Sequence, residues 1–428
     1  MDNIKIENAR IIDPQNNIDK IGDVYIKNGV FSEPFQDENT VTIDGTGLCA
    51  VPGLVDLHVH LRDPGQTQKE DIISGCKAAA AGGVTSLLAM PNTIPAVDTP
   101  ETVQYILEKA KNADAHVYVV GAITHDLKSQ KPTDIQALYN AGISALSDDG
   151  RPVENTAFMV SAMKKANELN IPVTAHCEDP YLAGGKVNEG KMSEMLGVKG
   201  MPAAAEDAGT AREISLAAAY DLPIHICHVS TATSAAMIKD AKKRGVKVTA
   251  ETAPHYITLT EDVLSKRDAD YRMNPPLRTE KDRLAMIEGL LDGTIDAIAT
   301  DHAPHTASEK SDFVNAPNGS IGMETSFSAC YTVLVKSGLM TISQLIDKMS
   351  CTPAKILHIN AGTLSVGKPA DIMLFSPDEE WTVSPDMLHG KSKNTPFKNM
   401  TLTSKVKLTI CSGKIVFNQC AISNVQWL

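Results

Sequence analysis

Two imidazoles stand two residues apart in Asp56-Leu57-His58-Val59-His60-Leu61-Arg62, at the end of an apolar run. On an extended strand alternate side chains share a face. His58 and His60 would therefore project to one side about 6.6 Å apart, a spacing that suits two ligands of one metal ion. An isolated His-x-His is also an ordinary pair of half-buried polar residues. Here the pair is not isolated: Asp148-Asp149, His176, His228 and Asp301 each lie at or just past the end of another apolar, β-rich segment. Imidazoles and carboxylates converging from separate strand ends are donors for a divalent cation, which makes a nucleophile of water near neutral pH.

The elements that must position them alternate between short β-branched runs and longer helical ones from about residue 51 to 359. After the run that ends at His58 and His60, strands are predicted at Val84–Met90, His116–Gly121, Ile143–Leu146, Ile171–Ala175, Ile224–Val229, Val246–Glu251 and Ile295–Thr300. Thr99-Pro100-Glu101 supplies an N-cap, a first-turn proline and a first-turn acid for the helix running to Lys111. Lys242-Lys243-Arg244-Gly245 reads as a helix C-terminus, its cations complementing the dipole and glycine stopping the helix. Eight such alternations predict an α/β fold, a (β/α)8 TIM-type barrel over 51–359 whose chemistry stands at the C-terminal strand ends. Residues 1–50 and 360–428 carry short strands and turns at Lys27-Asn28-Gly29 and Ser412-Gly413-Lys414, and are expected to pair as one small split β-sandwich domain.

Composition sets outer limits. The 428-residue chain has 43% hydrophobic residues, net charge −12 and a pI near 5.5, which predicts a large core and argues against nucleic-acid or membrane-surface partners. No apolar run approaches a membrane span, and Met1-Asp2-Asn3-Ile4-Lys5 lacks the apolar core of a signal peptide; a cytoplasmic location is the expectation. Eight cysteines without a Cys-x-x-Cys predict reduced, mostly buried thiols. Cys177 and Cys227 adjoin candidate ligands and, on ideal strands, would face away from them.

Several stretches carry a family resemblance over essentially the whole chain. They are Pro52-Gly53-Leu54-Val55-Asp56-Leu57-His58-Val59-His60-Leu61-Arg62-Asp63-Pro64-Gly65, Lys69-Glu70-Asp71, Met90-Pro91-Asn92-Thr93, Ser147-Asp148-Asp149-Gly150, Ala175-His176-Cys177-Glu178 and Cys227-His228-Val229-Ser230-Thr231. Glu251-Thr252-Ala253-Pro254-His255, Met273-Asn274-Pro275-Pro276-Leu277-Arg278, Thr300-Asp301-His302-Ala303-Pro304-His305 and Lys393-Asn394-Thr395-Pro396-Phe397 complete them. The sequence resembles the bacterial type of dihydroorotase in the amidohydrolase superfamily, cyclic amidohydrolases that interconvert N-carbamoyl-L-aspartate and (S)-dihydroorotate in pyrimidine (UMP) biosynthesis.

The resemblance implies a zinc hydrolase with two Zn2+ per chain. His58, His60 and Asp301 would bind one ion, His176 and His228 the other, and Asp149 would bridge them. Asp301 would also carry the proton from the attacking water to the departing ring nitrogen. Substrate binding would fall to His60, Arg62, Asn92, Asn274, His305, Asn318 and Gly319, with the Arg62 guanidinium gripping the substrate carboxylate. Spacing alone does not decide between Asp148 and Asp149; the family pattern assigns the second. His225, three residues before His228, is expected as a packed or supporting histidine.

Relatives that open other cyclic ureides, of the hydantoinase, dihydropyrimidinase and allantoinase type, bridge their metals with a carboxylated lysine at the end of the fourth strand. Leu146-Ser147-Asp148-Asp149 has none, although an enzyme of that kind is the alternative reading. A non-catalytic partner of aspartate transcarbamoylase is a third, against which all six metal-ligand types are retained. Association with that enzyme and a homodimer are both compatible with the resemblance. Departures from the family pattern are Asp63 for glutamate, Asn318 for phenylalanine and Tyr256 for histidine. The polar, glycine-containing segment from His305 to Gly322 is expected to act as a lid.

Overall fold

The computed structural model describes residues 3–37, 39–420 and 422–423. Its architecture is mixed α/β. Eight parallel strands are labelled here β1 (Leu54–Val59), β2 (Val84–Ala89), β3 (His116–Gly121), β4 (Ile143–Leu146), β5 (Thr174–Ala175), β6 (Ile224–Ile226), β7 (Val248–Thr252) and β8 (Ala297–Ile298). β1 to β4 form one parallel sheet in that order, and β5 to β8 form a second. Parallel bridges Leu146–Val173 and Val59–His302 link the two sheets at both edges. Every residue of β1 and β2 is buried, as expected for a parallel sheet covered on both faces.

Helices separate the strands, and their ends obey the local chemistry. Thr99 caps Pro100–Ala110 by accepting from the Thr102 amide. Helix Ala232–Lys243 ends in its basic run, where Lys242 donates to the Gly293 carbonyl at 3.0 Å and pairs with Asp296 at 2.6 Å. The buried Asp56 ties β1 to the end of β8, accepting from Thr300 N at 3.0 Å and Thr300 Oγ1 at 2.6 Å. That tie fixes His58 and Asp301 relative to each other.

The two chain ends build one nine-stranded sheet. Its main path runs Lys414–Asn418, Thr401–Cys411, Ile372–Thr382, Cys49–Pro52, Ile4–Asp13, Ile18–Lys27 and Val30–Phe31. Cys49–Pro52 thus lies between an N-terminal and a C-terminal strand, pairing Ala50 with Ile11 on one side and Leu374 on the other. Ile4, Ile6, Ile26, Ile43, Ile372 and Leu408 share a core of their own under this sheet. Phe375 meets Phe327 of helix Met323–Cys330 edge to face at 4.7 Å, joining sheet to helix. No helix among the described residues is long and apolar enough to cross a membrane.

Candidate active site

Beyond the C-terminal ends of the eight strands lies a cavity of about 210 Å3, lined by His60, Arg62, Asn92, Asp149, Gly150, His176, His228, Asn274, Asp301, Ala303, Asn318 and Gly319. His58 and His60 do share a face, their rings 5.3 Å apart. The Asp149 carboxylate sits among four imidazoles. Its Oδ1 is 3.2 Å from His58 Nε2, 3.6 Å from His176 Nδ1 and 3.7 Å from His228 Nε2, and its Oδ2 is 3.6 Å from His60 Nε2. Asp301 Oδ1 lies 3.1 Å from His60 Nε2 and 3.7 Å from His58 Nε2. His176 Nδ1 and His228 Nε2 are 3.0 Å apart.

The carboxylate just before Asp149 in the chain is employed elsewhere. Asp148 accepts from the amides of Ile123 at 2.7 Å and Thr124 at 3.1 Å, and from the Thr124 hydroxyl, so it holds the loops after β3 and β4 together. Burial lifts its carboxyl to about 6, against the pull of those donors.

Three of the converging residues have left-handed backbone: Arg62 (φ 60°), His228 (φ 36°) and Asp301 (φ 46°). For an L-residue this is unfavourable by roughly 1–2 kcal/mol, and such strain persists where surrounding structure holds it. It has a local consequence for Cys227. β6 ends at Ile226, so the expected alternation stops there, and Cys227 brings its sulfur toward His58 and Glu251 instead of facing away.

The residues fit a divalent cation. His58, His60 and Asp149 bring one donor atom each within 4.8 Å of one another, and so do Asp149, His176 and His228. His58 Nε2 and Asp149 Oδ1 are buried without a hydrogen-bond partner. Burial would make His58 harder to protonate, yet Asp149 and Glu251 raise it well above the ordinary range. Asp149 is pushed well below the usual carboxylate range by His58, His228 and His60 in spite of burial. The cluster therefore demands positive charge, which a metal ion supplies to neutral imidazoles.

Outer partners fix which nitrogen faces inward. His60 Nδ1 donates to Asn92 Oδ1 at 2.8 Å, leaving the Nε2 lone pair toward Asp301, while Asn92 Nδ2 donates to Asp149 Oδ2 at 3.2 Å. Asn92 thus holds two candidate ligands as well as lining the cavity. His58 Nδ1 lies 3.3 Å from Glu251 Oε1, whose other oxygen is 3.2 Å from His225 Nε2. His225 Nδ1 in turn meets Thr249 Oγ1 at 2.9 Å, so His225 supports a ligand through Glu251. The orienting role of Glu251 was not drawn from the sequence; its signal was an acid at the end of the seventh strand, beside the one carrying His228.

Arg62 is buried; its Nε donates to the Pro304 carbonyl at 3.2 Å and its Nη2 lies 3.4 Å from His305 Nε2. Burial lowers the guanidinium to about 10, with Asp301 and Asp149 opposing, so the cation persists at neutral pH. Asn274 lines the cavity and donates to Glu178 Oε2 at 2.9 Å. His305 stands behind Arg62 and is not among the lining residues; its Nε2 meets the Asn318 carbonyl at 2.9 Å. Burial, with Arg62 and Lys69 nearby, keeps it neutral with a pKa of about 3.

Asn318 and Gly319 both line the cavity, but with groups already paired. Arg272 Nη2 donates to Asn318 Oδ1 at 2.9 Å, and the Gly319 amide donates to the Arg272 carbonyl at 2.9 Å. The loop is fastened from below as well. Lys310 Nζ donates to the carbonyls of Arg272, Pro317 and Gly319, and Asn394 joins His305 N to the Gly319 carbonyl. Asp63 receives Tyr105 and Lys109, and Tyr256 donates to the Pro275 carbonyl at 2.6 Å, so both departures from the family pattern are absorbed by packing.

Residues 49–416 match the family model described as "Amidohydrolase family". A dihydroorotase of Geobacter metallireducens is 48% identical over 424 residues, covering 97% of this chain and 100% of the relative. That of Clostridioides difficile is 45% identical over 423 residues, covering 97% and 100%. Among solved structures, an L-hydantoinase (dihydropyrimidinase) from Arthrobacter aurescens superposes with a TM-score of 0.88 at 23% identity, covering 99% of this chain and 97% of the other, a likeness of fold. A dihydropyrimidinase from Brevibacillus agri NCHU1002 gives 0.85 at 26%, covering 97% and 95%. The chain belongs to the amidohydrolase family, whose members share this mixed α/β fold and a metal-dependent hydrolytic site.

Proposed function

We infer that this protein is a dihydroorotase, reversibly closing N-carbamoyl-L-aspartate to (S)-dihydroorotate in pyrimidine biosynthesis. The observation that carries the reading is a buried arginine, Arg62, lining the same small cavity as the His and Asp cluster. A cationic fork next to a hydrolytic centre selects a cyclic amide that bears a carboxylate, and the dihydroorotase relatives agree in sequence over nearly the whole chain.

His58, His60 and Asp301 would hold one zinc ion, His176 and His228 a second, with Asp149 between them. Bound metal acidifies water to about pKa 7 and polarises the amide carbonyl. Asp301 takes the proton released on attack and delivers it to the departing ring nitrogen. Its carboxyl, held at about 2 by His60 and the other surrounding imidazoles against the effect of burial, is ionised and able to accept it. Arg62 fixes the substrate carboxylate, and Asn274 and the Asn318–Gly319 loop wall the ring.

The same reading includes a closed (β/α)8 barrel over 51–359, supported by the strand order and the two edge bridges. Residues 1–50 with 360–428 form the companion β-domain, the doubly flanked strand Cys49–Pro52 suggesting a folded-over sheet of sandwich type. It also includes a cytoplasmic setting, a small-molecule substrate and neither nucleic acid nor membrane as partner. The test is a comparison of ring opening of dihydroorotate, dihydrouracil and hydantoin by metal-loaded protein. Dihydroorotate is expected to exceed both in kcat/KM by at least about a hundredfold. Equal or faster opening of the uncharged rings would overturn this reading in favour of a hydantoinase-like enzyme.

A further inference from the structure

A second set of metal-ligand types meets at the other end of β3. His116 is the first residue of that strand, Asp371 precedes strand Ile372–Thr382, and Cys411 ends strand Thr401–Cys411. Their N, O and S atoms lie within 4.8 Å of one another. His116 Nε2 stands 3.2 Å from each Asp371 carboxylate oxygen. Ser412 N donates to Asp371 Oδ1 at 2.7 Å, so the carboxylate is aimed by the backbone that carries the neighbouring thiol. Ser412 (φ 46°) and Gly413 (φ 75°) make the tight hairpin turn that allows this.

The chemistry and the spacing both suit zinc. Metal-to-ligand distances of about 2.0–2.3 Å at a near-tetrahedral angle put ligand atoms roughly 3.3–3.7 Å apart, and the His116–Asp371 separation is close to this. Imidazole with thiolate disfavours magnesium and calcium. Asp371 and Cys411 are buried while the His116 side chain is 35% exposed, and a cavity of about 720 Å3 lined by His116, Cys411, Ser412 and Lys414 gives access from solvent.

We propose that His116 Nε2, the Asp371 carboxylate and the Cys411 sulfur form a further zinc-type site, its fourth position open to this cavity. Binding releases the Cys411 thiol proton to solvent and leaves a thiolate on the metal. The site pins the base of β3 to the sheet built from the chain ends. It is independent of the reaction proposed above, and its failure would leave that reading untouched.

The experiment uses the full chain stripped with chelator and titrated with Co2+. A thiolate-to-cobalt charge-transfer band in the near ultraviolet is expected, with the amplitude of one thiolate-bound ion among about three taken up per chain, the other two going to the catalytic cluster. Cys411→Ser should abolish the band while ring-opening activity persists. His116→Gln, which keeps the side-chain bulk, should weaken the binding that gives the band by at least about a hundredfold. Cys227→Ser, removing the thiol near His58, should leave it unchanged. Absence of a thiolate band in the native protein, or a band that survives Cys411→Ser, would overturn the proposal.

Discussion

Replacing Arg62 by methionine removes the charge and the hydrogen-bond fork and leaves an unbranched apolar side chain two atoms shorter. In the structure Nε is engaged by the Pro304 carbonyl, so a substrate carboxylate would meet the terminal nitrogens. Each charge-assisted hydrogen bond contributes about 1.5–3 kcal/mol, and 1.36 kcal/mol is a factor of ten in rate. Losing one such bond should lower kcat/KM for dihydroorotate by roughly ten- to a hundredfold; losing a bidentate pair compounds the loss. Dihydrouracil, which lacks the carboxylate, has nothing to lose, so its slow turnover should change by less than about threefold. The vacated Pro304 carbonyl adds a stability penalty of ~1–3 kcal/mol, visible as a lower urea midpoint but identical for both substrates. Metal content, measured on the same samples, should not change. The assay is steady-state ring opening of both compounds by native protein, Arg62→Met and Arg62→Lys. If both substrates lost activity in parallel, Arg62 would be shaping the cavity, and carboxylate recognition would lie elsewhere.

Four further outcomes follow from the geometry. Metal analysis of fully active protein, performed on the Cys411→Ser variant to isolate the catalytic cluster, should return about two zinc ions per chain; one tightly held ion would remove the bridging role of Asp149. Asn92→Ala should weaken metal retention about 10- to 100-fold in a chelator competition, because His60 and Asp149 both lose the amide that orients them; unchanged retention would make Asn92 a substrate contact alone. Gly319→Ala places a methyl within 2.9 Å of Ala303 and His305 at a φ of +135°, so kcat/KM should fall while metal content holds, and an unchanged value would show that the loop yields freely. Lys310 is depressed by burial from 10.5 to about 8. Between those values the unfolded chain binds more protons, so native protein should gain stability relative to Lys310→Met as pH rises from about 8 to 10.5, by up to about 3 kcal/mol; urea unfolding at both ends of that window should find the gain, and a flat difference would contradict it.

The strands were legible because each is a short apolar, β-branched run closed by polar or turn residues. β5 (Thr174–Ala175) and β8 (Ala297–Ile298) are shorter than the apolar runs that hold them, since a strand extends only as far as its ladder hydrogen bonds, and before β5 Pro172 has no amide to give. The convergence of His58, His60, Asp149, His176, His228 and Asp301 was visible from their places at strand ends. Left-handed backbone at Arg62, His228 and Asp301 was not, because arginine rarely adopts it, and aspartate and histidine, though enriched there, do so in only a small minority of cases, and the misplacement of Cys227 followed. Groups already paired at Asn318 and Gly319 were equally hidden, as their partner Arg272 lies more than forty residues earlier in the chain. The nine-stranded sheet was foreseen as a union of the two ends, but its interleaving depends on pairings that no local pattern encodes.

That interleaving sets an order of events during synthesis. A ribosome adds about 5–20 residues per second, so Cys49–Pro52 emerges and waits many seconds before Ile372–Thr382 exists to cover its free edge. Throughout that interval a row of unpaired amides and carbonyls, backed by the isoleucines of the first strands, stands open on the growing chain. The last sixth of the polypeptide thus acts as a late clasp on the first fifty residues. Translational pausing or premature termination before residue 372 should yield sticky, protease-sensitive fragments even when all eight parallel strands have already been made.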